Sequence, residues 1–141
     1  MINYLKKYLR RDRRRYPRHP VSTGVEFFVM SRRSEPQTGK ARGCLTAVSL
    51  KGACLQAGSL QIGDYHLFRD HDPKEKTVLA IELPSRPGGE AWTLRANLLS
   101  YDKFPEKREY PFDLRLQFVN PSAADLKNIE QLIKSETARK N

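Results

Sequence analysis

The 141-residue sequence has no apolar run approaching twenty residues, which excludes a membrane-spanning helix. Its N-terminus lacks the continuous hydrophobic region of a secretory signal, so a cytoplasmic protein is expected. Cysteine is scarce: Cys44 and Cys54 match no metal-site spacing and cannot build a disulfide framework, which predicts reduced core thiols. His19, His66 and His71 are scattered, and no serine or cysteine nucleophile has a base evident in the sequence, so no enzyme is expected. Asp70-His71-Asp72 carries metal-ligating groups, but three adjacent residues of an extended segment cannot converge on one ion. A solvated loop, with neither metal nor cofactor, is the expectation there. Acidic residues are also few, 16 Asp and Glu against 26 Lys and Arg, leaving a net charge of +10.

That charge is concentrated at one end. The first twenty residues hold eight basic side chains (Lys6, Lys7, Arg10, Arg11, Arg13, Arg14, Arg15 and Arg18) against Asp12 alone, a net +7. Clustered guanidinium groups repel one another unless anionic oxygens compensate them, so a polyanionic partner is implied. Arginine dominates the run, and its planar fork binds phosphate and the acceptor edge of guanine in bidentate fashion, as a lysine cannot. Taken alone, the run is equally compatible with a solvated basic tail or a non-specific contact to RNA or a membrane. Ile2, Leu5, Tyr8 and Leu9 share one face of a short helical pattern ending before Pro17, a length that is marginal for an isolated helix in water.

The remainder is one domain in length, and its hydrophobic period is mostly two. Val25, Phe27 and Val29 define a first strand over about Ser22 to Met30. Cys44 to Val48 and Ala53 to Gln56 flank a turn at Ser49 to Gly52, a hairpin in which Gly52 supplies the permissive backbone. Tyr65 to Phe68 is a candidate short strand. Leu79, Ile81 and Leu83 alternate before a turn over Pro84 to Gly89, and Trp92, Leu94, Ala96 and Leu98 alternate after it. Phe112, Leu114, Leu116 and Phe118 repeat the pattern. Short strands separated by Pro and Gly turns predict a mainly β protein, a small antiparallel barrel over about Ser22 to Val119. The period then changes: Ser122-Ala123-Ala124-Asp125 reads as a capping box with Asp in place of Glu. Leu126, Ile129, Leu132 and Ile133 form the apolar stripe of a helix running to near Ala138. That stripe is expected to cover an open barrel end. The organisation expected is a basic leader over residues 1–20 and a barrel with its helix over 21–141.

Two short motifs stand in order along the chain. An Arg-x-x-x-Arg element is carried by Arg14-Arg15-Tyr16-Pro17-Arg18 ahead of the first strand. An Asp/Asn-x-Ser-x-x-Gly turn is matched by Ala47-Val48-Ser49-Leu50-Lys51-Gly52. In this order and spacing they give the chain a resemblance to the PilZ domain family, bacterial receptors for cyclic di-GMP. The resemblance covers nearly the whole length and implies a six-stranded, Greek-key-like β-barrel with a C-terminal helix, in a stand-alone cytoplasmic effector. On this reading Arg14 and Arg18, helped by Arg13, would grip phosphate and guanine, while Ser49 and Gly52 would form the floor beneath a base. The leader would fold over the barrel on ligand binding and signal to a downstream protein partner, with motility, adhesion, biofilm, exopolysaccharide synthesis and virulence control all open as outputs. The departure is Ala47, where the family places Asp or Asn: a methyl group cannot accept a hydrogen bond from guanine. Two alternatives stand beside this one, a divergent PilZ domain acting only through proteins, and a basic barrel binding RNA or single-stranded DNA through the arginine run, Tyr16 and Tyr110.

Overall fold

The computed structural model describes residues 17–71, 77–84 and 91–140. Alternation of apolar and polar side chains sets strands β1 (His19–Ser31), β2 (Ala41–Val48), β3 (Gly52–Ala57), β6 (Thr77–Leu83), β7 (Trp92–Lys103) and β8 (Phe112–Phe118). They close into a barrel in the order β1-β2-β3-β8-β7-β6, with β6 returning to β1. Every pairing is antiparallel. β1 to β3 form a meander, and β6 comes back by a long connection to lie beside β1, a Greek-key arrangement. The antiparallel barrel expected from periodicity is therefore present, with the six strands and Greek-key order that the resemblance implies, and β1 is longer at both ends than the apolar alternation alone suggested.

The barrel interior is built by the inward row of each strand. Phe27, Val29, Leu45, Leu55, Leu79, Ile81 and Leu114 are all sealed from solvent at 1% exposure or less. The connection from β3 to β6 contains two short strands, β4 (Gln61–Ile62) and β5 (Tyr65–His66), paired only with each other. The strand expected over Tyr65 to Phe68 thus lies outside the barrel sheet, and Leu67 beyond it plugs into the core.

The helix, α1 (Ala123–Lys140), begins at the expected capping box. The Asp125 amide donates to Ser122 Oγ and the Ser122 amide to Asp125 Oδ2, both at 3.0 Å. Ile129 is fully buried in the barrel's core cluster, and Leu126, Leu132 and Ile133 pack against that cluster. Thr23 of β1 donates to Glu136 of α1 at 3.3 Å, tying the helix to the first strand. Among the described residues no helix is long and apolar enough to cross a membrane.

Candidate functional site

Arg18 stands immediately before β1, whose first residues pair with the end of β2: His19 with Val48 and Pro20 with Ala47. That register brings Arg18 to the mouth of the Ser49 turn. From Pro20 and Ala47 an outward row continues through Cys54 of β3 and Arg115 of β8 to Ser100 of β7. The next row holds Cys44, Gln56, Asp113 and Asp102. β-Bulges interrupt the ladders between Pro20 and Thr23, between Leu45 and Ala47, and between Leu98 and Ser100. Three of the five residues in the first row therefore border a bulge, where a strand bends and re-aims its side chains.

The two cysteines are free and half-buried on this outer face, not in the core as the sequence suggested. Leu45 and Leu55 take the inward positions, and alternation turns Cys44 and Cys54 outward. The exposed Arg18 side chain reaches across to β3, where Nη1 lies 3.4 Å from Cys54 Sγ. Arg115 is engaged toward β7, donating through Nη1 to Ser100 Oγ at 3.2 Å and through Nη2 to Asp102. Burial pushes the Asp113 carboxyl above its ordinary range and Asp102 adds to the rise, while the guanidiniums of Arg115 and Arg18 oppose it.

Ser49 is buried and its hydroxyl serves its own turn. Ser49 Oγ accepts from the Lys51 amide at 3.1 Å and the Gly52 amide at 3.2 Å, and the Ser49 amide donates to Gly52 O at 2.9 Å. Gly52 is glycine because of β8. A Cβ there would stand 2.1 Å from the Leu116 carbonyl oxygen, whereas among the described glycines a left-handed φ occurs only at Gly63. Both motif residues thus build the turn that borders the face. Arg13 and Arg14 lie outside the described residues.

Two concavities flank this region. A cleft of about 350 Å³ between the turn and the start of α1 is lined by Leu50, Lys51, Phe118 and Leu126 among others. A second of about 380 Å³ lies over β1, β2 and β6 around Glu26, Arg42 and Glu82, where Lys40 pairs with Glu82 at 2.8 Å.

The Asp70–His71 pair has structural work. Asp70 Oδ2 accepts from the His66 amide at 2.8 Å, and His71 Nε2 accepts from the Leu98 amide at 3.3 Å beside the β7 bulge. No metal-binding cluster occurs among the described residues, and Asp72 lies outside them.

No protein-family model matches the sequence, and no curated protein matches it either. Solved structures do. The PilZ domain of YcgR from Escherichia coli, with c-di-GMP, superposes at a TM-score of 0.61 with 18% identity, over 90% of this chain and 93% of that one. The chain has the PilZ fold. The inhibitor of motility MotI/DgrA of Bacillus subtilis aligns at 0.58 with 18% identity over 92% of this chain, and E. coli YcgR in complex with c-di-GMP at 0.53 with 19% identity over 91%. The chain spans about half the length of these last two, 53% and 48%. β1–β2 pairing brings Arg18, the described end of the Arg-x-x-x-Arg element, beside the Ala47–Gly52 turn. Asp113, Arg115, Ser100 and Asp102 were missed by sequence reasoning. Alternation marks the odd residues of β8 as outward, but only the β3–β8 pairing puts them on the same face as the motifs.

Proposed function

We propose that this chain is a cyclic di-GMP receptor, not an enzyme, that passes the signal to a downstream protein partner. The observation that carries the reading is the meeting of Arg18 with the Ser49–Gly52 turn on one outward face of a PilZ barrel. Cyclic di-GMP offers two phosphates and two guanines, and arginine addresses phosphate, the O6/N7 edge and the purine face. Arg14 and Arg18, with Arg13 beside them, grip the ligand. Ser49 and Gly52 act by holding the turn in shape. Ligand neutralises the self-repelling leader, which then folds over the barrel face and presents a new surface. Control of motility is the output that the B. subtilis neighbour's description suggests.

Calorimetric titration with cyclic di-GMP tests this. Arg14→Ala and Arg18→Ala are each expected to lower affinity tenfold or more, matching the roughly 1.5 to 3 kcal/mol of a charge-assisted hydrogen bond, while sparing thermal stability. Unchanged affinity in the double variant would remove the leader from the site. Ala47→Asn restores an acceptor without adding charge and is expected to tighten binding by about 1 kcal/mol.

A second reading, a PilZ domain that has lost its ligand and acts only through proteins, is favoured by the methyl group at Ala47. Absence of any cyclic di-GMP binding by the wild type would select it. For the nucleic-acid alternative, Tyr110 is half-buried and Tyr16 lies outside the described residues. A nucleic-acid binder would show affinity rising with oligonucleotide length and a steep salt slope, instead of saturation at fixed stoichiometry.

A further inference from the structure

The outward face holds a carboxyl group whose hydrogen-bonding capacity is not used. Asp113 Oδ1 is buried with no hydrogen-bond partner among the described residues, although the residue as a whole is only half-buried. Its cationic neighbours are directed elsewhere. Arg115 donates to Ser100 and Asp102, and Arg18 Nη1 points to Cys54, although both guanidiniums act on Asp113 through space. Buried acceptors normally find a donor, so a carboxyl left without one at the edge of a candidate ligand face gains by turning outward to a donor from outside the chain.

The chemistry of that donor follows from the receptor reading above, on which this inference rests. The Watson–Crick edge of guanine presents N1–H and the 2-amino group side by side, two donors that match the two oxygens of a carboxylate. Adenine presents an acceptor, N1, at the same place, and hypoxanthine keeps N1–H but lacks the amino group. Ala47 cannot accept from such an edge. Asp113 stands on β8, two strands from Ala47 on β2, and its row adjoins the row of Ala47, Cys54 and Arg115. At about 4.8 Å per strand and about 3.4 Å per residue along it, this is a separation of roughly 12 Å, within reach of a base whose phosphate is held at Arg18.

We propose that Asp113 supplies the acceptor for a guanine Watson–Crick edge of the bound cyclic dinucleotide, in place of the polar side chain that position 47 lacks. It thereby makes the site selective for guanine over hypoxanthine and adenine. Asp102, one strand further and paired with Arg115, has no such role.

The test is calorimetry on the full chain with three probes: cyclic di-GMP, its inosine analogue cyclic di-IMP, and cyclic di-AMP. The wild type is expected to bind cyclic di-GMP at least tenfold more tightly than either analogue. Asp113→Asn is expected to weaken cyclic di-GMP tenfold or more and to bring the cyclic di-GMP to cyclic di-IMP ratio close to one, with an unchanged circular dichroism spectrum. Asp102→Asn is expected to keep the wild-type ratio. If Asp113→Asn binds cyclic di-GMP as tightly as the wild type, or more tightly, with the ratio intact, Asp113 is only a counter-charge to Arg18. The proposal then falls while the receptor reading stands. If the wild type binds none of the three, the receptor reading fails and takes this assignment with it.

Discussion

Glycines at two positions of the barrel separate packing from conformation. Gly52 faces the Leu116 carbonyl so closely that any Cβ must push β3 and β8 apart at the hairpin, whereas Gly24 has nothing within 4 Å of the same construction. Gly52→Ala is expected to destabilise by about 2 kcal/mol, in the range of overpacked sites, and Gly24→Ala to leave stability the same or raised by about 0.5 kcal/mol. Urea denaturation of the pair checks this, and equal midpoints would contradict it. Asp113 supplies a pH test at the same scale. Its folded-state carboxyl titrates above the ordinary 3.8, so the folded state holds that proton more tightly than the unfolded chain does. The resulting stability is present below 3.8 and is lost as pH rises through the elevated folded value. Asp113→Asn has no such loss. Its denaturation midpoint relative to wild type should therefore climb as pH rises from below 3.8 toward neutrality and then level off. A difference that does not vary with pH would argue against it.

At the scale of the element, α1 depends on both its start and its stripe. Ser122 and Asp125 satisfy two amides that the first helical turn would otherwise leave without partners. Ser122→Ala is expected to cost about 1 kcal/mol, and near-wild-type stability would mean that the stripe alone holds the helix end. Ile129 carries the stripe's deepest contact at 0% exposure, so Ile129→Ala should cost about 2 to 5 kcal/mol by thermal or chemical denaturation. Strand β7 shows the complementary case of an element that needs help from elsewhere. Its bulge between Leu98 and Ser100 breaks the ladder, and the amide of Leu98 is satisfied by His71 from the β5–β6 connection.

Across the whole molecule, charge and topology meet on one face. The net +7 of the first twenty residues belongs to a segment that joins the barrel where β1, β2 and the Ser49 turn come together. The same face also bears Asp102 and Asp113, so it is not uniformly positive. A phosphate-bearing ligand placed there would meet Arg18 at one side and carboxylates at the other, an arrangement suited to holding the phosphates and a base edge separately. This is why Arg18→Ala and Asp113→Asn are expected to differ in kind. The first lowers affinity for all three cyclic dinucleotides, and the second changes the preference among them.

The sequence by itself determined the strands, the terminal helix and the two motifs, because each is written in short-range pattern. Period-two alternation at Val25, Phe27 and Val29, helical spacing from Leu126 to Ile133, and the Ser122-x-x-Asp125 cap are all local signals. What tertiary structure decided is everything that depends on pairing between distant segments. That Cys44 and Cys54 turn outward follows from register, since one residue of slip exchanges the faces of a strand. That Gly52 answers to Leu116, and that Asp113 and Arg115 share the face of Arg18, follow from β3 pairing with β8 across some sixty residues, a contact that no window of sequence contains. The three bulges along the site are likewise mismatches between strands, and a mismatch exists only once both partners are in place.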